Sequence, residues 1–188
     1  MEADFAVELG ADDELLDLPW ASADSSVRYY DLKRQPELLL YVGEAQRVPG
    51  LGEFLAAINS ASSILETAKC DTWHTTEMQP EEEILGASCK FASYIDVLFS
   101  DDVRRFSFSE HEQIAARLTQ LLRRVPEIPA AAEFLVRRCH YHQEETRDGF
   151  YITFYLFGYG DDEPQAQQRW AIGLKLVENA IRQISVGS

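Results

Sequence analysis

The chain has 188 residues, of which 46 % are hydrophobic, enough for one sizeable core rather than two marginal ones. A net charge of −15 repels phosphate backbones, so no nucleic-acid partner is expected; a cationic small molecule or a basic protein suits it better. No apolar run approaches the roughly 18 residues of a membrane-spanning helix, and three cysteines, an odd number, suit reduced thiols in a cytoplasm rather than a disulfide framework.

Met1 to Leu9 carries Glu2, Asp4 and Glu8 where a secretory signal would carry Lys or Arg. Residues 1–26 read as an acidic N-terminal arm, and residues 27–188 as a single α+β domain. The arm interleaves its carboxylates with Leu15, Leu16, Leu18 and Trp20, which suits docking on its own domain better than a recognition tail that folds on a partner.

Val27 to Lys33 is short, aromatic and half alternating, and reads as a strand. Pro36 fits the first turn of a helix through Tyr41 or Ala45, while Leu38 to Val42 fits a buried strand equally well. Pro49-Gly50 reads as a turn before a short helix carrying Phe54, Leu55 and Ile58. Leu65 to Met78, rich in Thr, reads as a strand followed by an acidic loop from Gln79 to Glu83. Cys89 to Ser100 alternates, with Phe91, Ile95, Val97 and Phe99 on one face and Tyr94 and Asp96 on the other, completing a hairpin.

Ser109 and Glu112 suggest a capping box for a helix whose Ile114, Leu118, Leu121 and Leu122 recur at helical spacing, with Arg123 and Arg124 at its end. Ala130 to Glu133 is helix-prone, Phe134 to Gln143 alternates like a strand, and Asp148-Gly149 reads as the following turn. Phe150 to Tyr159 then alternates again: Phe150, Ile152, Phe154 and Leu156 face one way, Tyr151, Thr153, Tyr155 and Tyr159 the other. Gly158 and Gly160 are assigned to the turn before a last helix, which starts near Asp162 and carries Trp170, Leu174, Val177 and Ile181.

The order strand-strand-helix thus occurs twice, and Lys69-Cys70 and Arg138-Cys139 mark comparable places in the two rounds. The expected fold is α+β: a mainly antiparallel sheet with helices packed on one face. The uncovered face would then hold Tyr94, Asp96, Tyr151, Thr153, Tyr155 and Tyr159, rings around one carboxylate, a set suited to a flat or cationic ligand. The expected function is a non-enzymatic binding or interaction domain. The alternative is a small cytoplasmic enzyme using Asp96, Tyr151, Tyr155 or His140 in the same cavity.

No nucleophile elbow, phosphate loop or metalloprotease helix occurs, and adjacent Cys139 and His140 would face apart on a strand. His140 and His142 share a strand face, but a metal site would need a ligand from elsewhere. No metal or cofactor is therefore assigned.

Overall fold

Apolar side chains at every second position need a layer on each side that keeps them from water, and the chain meets this need with one sheet. The computed structural model describes residues 1–25, 27–79, 82, 86–142 and 145–186. Its strands are β1 (Glu2–Glu8), β2 (Leu15–Leu18), β3 (Leu65–Thr75), β4 (Cys89–Phe99), β5 (Ala130–His142) and β6 (Thr146–Gly160). They lie in the order β1-β5-β6-β4-β3, and β2 continues the line of β1 along β5. The β3-β4, β4-β6 and β5-β6 pairs are antiparallel, whereas β1 and β2 run parallel to β5.

Three of the helices, α2 (Pro49–Ile58), α3 (Phe108–Leu122) and α4 (Glu163–Val186), bury their apolar stripes on the same sheet face. There Phe91, Ile95, Val97 and Phe99 of β4 and Ile152, Phe154 and Leu156 of β6 form the main core with Phe134, Leu118, Leu174 and Val177. Ser93 lies in this apolar layer because the Trp170 indole donates to its hydroxyl at 2.9 Å, which satisfies both buried groups. No described helix is long and apolar enough to cross a membrane, and all three cysteines are free.

Helix α4 rests directly on the backbone of β6, which is why Gly158 and Gly160 are strand residues and not the expected turn. A Cβ on Gly158 would lie 2.2 Å from the Trp170 amide nitrogen, and one on Gly160 would lie 2.5 Å from that of Ala166. Asp162 then caps the helix, its carboxylate accepting from the Gln165 amide at 2.9 Å.

Several local expectations change for identifiable reasons. Residues Val27 to Lys33 form no strand; only the isolated Ala21–Arg28 bridge pairs there, and Val27 stays exposed while Leu32 is buried as a cover residue. The ambiguous stretch after Gln35 is a 3-10 helix, Pro36–Tyr41, followed by the short α1 (Gly43–Arg47). Pro49 opens α2 instead of making a turn, a role its fixed φ and missing N–H suit. The cap of α3 is Ser107, whose hydroxyl accepts from the Glu110 amide, two residues before the expected box.

Ala130 to Glu133 is strand throughout, because β1 and β6 pair with it from both sides and ladder bonds outweigh alanine's helix propensity. Asp148 and Gly149 lie inside β6, and the bare Gly149 Cα makes room for the Tyr141 ring, which a Cβ would approach to 2.5 Å. Most of the acidic loop expected over Gln79 to Glu83 lies outside the described residues, as does Gln143.

The strand-strand-helix order does occur twice, as β3-β4-α3 and β5-β6-α4, with β4 and β6 adjacent at the centre. The two cysteines do not correspond, since Cys70 pairs with mid-strand Ile95 and Cys139 with Gly149 near the start of β6.

Substituting Gly158→Ala drives a methyl group into helix backbone that cannot move aside, and is expected to cost about 2–4 kcal/mol of unfolding free energy. Gly43→Ala, at a position with nothing within 4 Å, should change stability by less than about 1 kcal/mol. Urea denaturation of both variants checks the contrast.

Candidate functional site

Side chains that point away from the helices form rows across the opposite face, set by strand register. One row reads Asp4, Glu133, Tyr155, Tyr94, Asp71 from β1 to β3; the next reads Ala6, Leu135, Thr153, Asp96, Lys69. Two tyrosines are thus flanked by carboxylates, and one carboxylate sits in the middle of the second row.

Tyr94 and Tyr155 are half-buried neighbours, with ring centroids 6.3 Å apart, and Trp73 lies 6.4 Å from Tyr94. Tyr151, Thr153 and Asp96 are buried beneath the surface of this face. A small second core seals Tyr151: Leu16 and Leu18 of β2 cover it together with Leu98, Tyr141 and Cys139. Its hydroxyl has Arg137 and Asp96 as charged neighbours and no well-formed hydrogen bond among the described residues. Tyr159 stands apart, donating to Glu82 Oε1 at 3.0 Å beside an open hollow of about 540 Å³ bordered by β1 and Phe157. His140 projects from the other face of β5 and does not join this group.

Asp96 has the most unusual environment. It is 3 % exposed, and burial pushes its carboxyl up to about 7, against the opposing effect of the hydrogen bond from Thr153 Oγ1 at 2.7 Å. Thr153 Oγ1 in turn accepts from Arg137 Nη1 at 3.2 Å. That guanidinium also donates to Glu8 at 2.7 Å and to Glu14 at 3.1 Å, so carboxylates of the N-terminal segment neutralise a charge buried beside the sheet.

Along the free edge of β3 runs a groove of about 640 Å³, within the range of small-molecule sites. Trp20, Tyr30, Tyr41 and Tyr94 bring aromatic surface to it. Glu14, Glu44 and Asp71 bring carboxylates, and Lys69 and Arg28 bring positive charge. Lys69 Nζ lies 5.8 Å from the Trp20 ring centre and 5.6 Å from that of Tyr94, so both ring systems already face a cation.

The wall opposite β3 is fixed by the Trp20 indole, which donates to the Ala68 carbonyl at 2.7 Å. Ala68 sits where the β3-β4 register shifts between Thr67 and Lys69. Cys70 also lines the groove, but burial pushes its thiol up to about 12, which leaves it neutral and a poor nucleophile.

Of the six residues expected from the sequence, only Tyr94 lines this groove; Asp96 and Thr153 lie beneath its floor row, and Tyr155 is Tyr94's neighbour. Sequence reasoning missed Trp20, Tyr30 and Tyr41 as lining groups, because they come from segments that form no regular strand and are laid against β3 only by the tertiary fold. For Trp20 the signal was the apolar content of an otherwise acidic arm, and for Tyr30 the aromatic stretch from Val27 to Lys33. No family model, curated protein or solved structure matches the chain.

Asp96 makes stability depend on pH in a defined direction. In the unfolded chain it titrates near the ordinary 3.8 and in the fold near 7, so the folded state binds the extra proton between those values. Its contribution is therefore most favourable below about pH 4 and declines as pH rises to about 7. Asp96→Asn should gain about 1–3 kcal/mol relative to the parent between pH 4 and pH 8, measured by urea denaturation across that range. A difference that stays flat or runs the other way would show that Asp96 is ionised at little cost.

Proposed function

We propose that the chain is a non-catalytic binding module whose β3-edge groove takes an organic cation with a flat apolar body. The observation that carries this reading is the convergence of four aromatic side chains with the carboxylates of Glu14, Glu44 and Asp71 on one groove of about 640 Å³. Ring faces attract a cation through their quadrupole, and carboxylates at the rim add an attraction that a net charge of −15 reinforces over longer range. Lys69 occupies part of this environment; it would move aside for a ligand ammonium or stack beside an aromatic body, as its flexible stem permits.

One observation favours an enzyme instead: a buried carboxyl at about 7 is poised for proton transfer at neutral pH. The binding reading takes precedence because Asp96 is not among the groove's lining side chains, while its hydrogen-bonded neighbour Thr153 is itself buried.

Tryptamine and indole-3-acetate carry the same ring with opposite charge, and so separate charge recognition from simple apolar binding. Tryptamine should raise the melting temperature saturably and quench or shift indole fluorescence, whereas indole-3-acetate should do neither. Asp71→Asn and Tyr94→Ala should each weaken tryptamine binding about tenfold in calorimetric titration, equal to about 1.4 kcal/mol. Equal responses to the two probes, or wild-type affinity in both variants, would remove the proposal.

A further inference from the structure

His140 and His142 alternate on β5 and therefore project from one face, on the helix side of the sheet but near the end of the strand, where both stay partly exposed. Strand register surrounds them. Asp17 of β2 pairs with His140 from one side, Asp148 of β6 pairs with it from the other, and Thr146 of β6 pairs with His142. Asp17 Oδ1 lies 2.7 Å from His142 Nε2 and 3.5 Å from His140 Nδ1, and the three ligand atoms fall within 4.8 Å of one another. Donors to a tetrahedral zinc ion stand roughly 3.3 Å apart, so modest rotations of these exposed side chains bring the set to coordination distance.

The far side of each ring carries the argument further. His142 Nδ1 lies 3.0 Å from Thr146 Oγ1, and His140 Nε2 lies 3.3 Å from the Asp148 carboxylate. With protons on those two nitrogens, each imidazole turns a lone pair towards Asp17. A plain ion pair needs only one nitrogen facing a carboxylate. Here both rings are held from behind by a hydroxyl or a carboxylate, the outer-shell arrangement that fixes tautomer and orientation in histidine metal sites.

We propose that Asp17, His140 and His142 form a binding site for a borderline first-row divalent cation, with Zn²⁺ the first probe. Two imidazoles and one carboxylate suit such an ion better than Mg²⁺ or Ca²⁺, which take oxygen donors. Three protein ligands leave a fourth position for water or another donor. The ion also ties the four-residue β2 to β5, and so fastens the segment that runs on to Trp20.

The test is titration of the full chain with Zn²⁺ in chelator-treated buffer, read by calorimetry and thermal melting, with Mg²⁺ in parallel. One equivalent should bind, and at about a hundred times the dissociation constant the melting temperature should rise by about 5–10 °C. Mg²⁺ at the same concentration should leave it unchanged. His142→Gln and Asp17→Asn should each abolish the shift, while His74→Gln, whose imidazole neighbours Glu163 elsewhere on the molecule, should keep it. Co²⁺ should give visible absorption bands of a four-coordinate ion in the parent protein, which tests the site even if a variant is unstable. Zn²⁺ binding that is weak and non-saturable, that survives in both variants, or that leaves Co²⁺ with the spectrum of its hexahydrate overturns the proposal.

Discussion

Strand β5 is thirteen residues long, and without the N-terminal segment its outer edge would offer an unbroken row of free backbone donors and acceptors. Residues 2–8 pair in parallel with 131–137, and residues 15–18 with 138–141, so the edge is covered by two short strands with residues 9–14 looped out between them. Parallel strands are normally covered on both faces. Here the inward Ala3 and Phe5 join the helix-covered core, and Leu16 and Leu18 build the smaller core on the opposite side.

The charge of this segment is what lets it dock. Eight acidic side chains precede residue 28, and the surface they meet is basic: Arg123 holds the Ala3 carbonyl at 2.7 Å and Asp4 at 3.3 Å, and Arg137 holds Glu8 and Glu14. Arg137 is 8 % exposed and would be a costly buried charge by itself. Its partners are Glu8, the last residue of β1, and Glu14, in the loop before β2, so segment docking and the satisfaction of Arg137, Thr153 and Asp96 form one network. The acidic arm, expected to dock on its own domain through its apolar side chains, does so as two strands of the sheet and as part of its electrostatic balance.

That difference marks what was legible in the sequence. Antiparallel hairpins leave a local record, because strand, turn and alternation are contiguous; β4, β6 and the faces of Tyr94, Asp96, Tyr151 and Thr153 followed from period-two patterning alone. Helix α4 followed from the spacing of Trp170, Leu174, Val177 and Ile181. Parallel pairing leaves no such record, since the partners Asp17 and His140 are far apart in the chain and neither segment needs a particular turn. The groove was missed for a related reason: Trp20, Tyr30 and Tyr41 face β3 only once irregular segments have been laid across its edge. Alanine-rich 130–133 misled because intrinsic propensity is weak beside two flanking ladders.

The two candidate sites share this segment while lying on different sides of the sheet. Glu14 to Trp20 forms a wall of the groove, and Asp17, in the middle of it, meets His140 and His142. The shared element is a four-residue strand held by backbone pairing and two buried leucines, and short edge elements are among those that can open locally without global unfolding. Any occupant that restrains it from one side lowers the ordering cost for an occupant on the other. Thermodynamic reciprocity then requires each to raise the other's affinity by the same factor. The coupling needs no chain of moving side chains through the core, because the shared element is itself the wall of one site and the source of a ligand for the other.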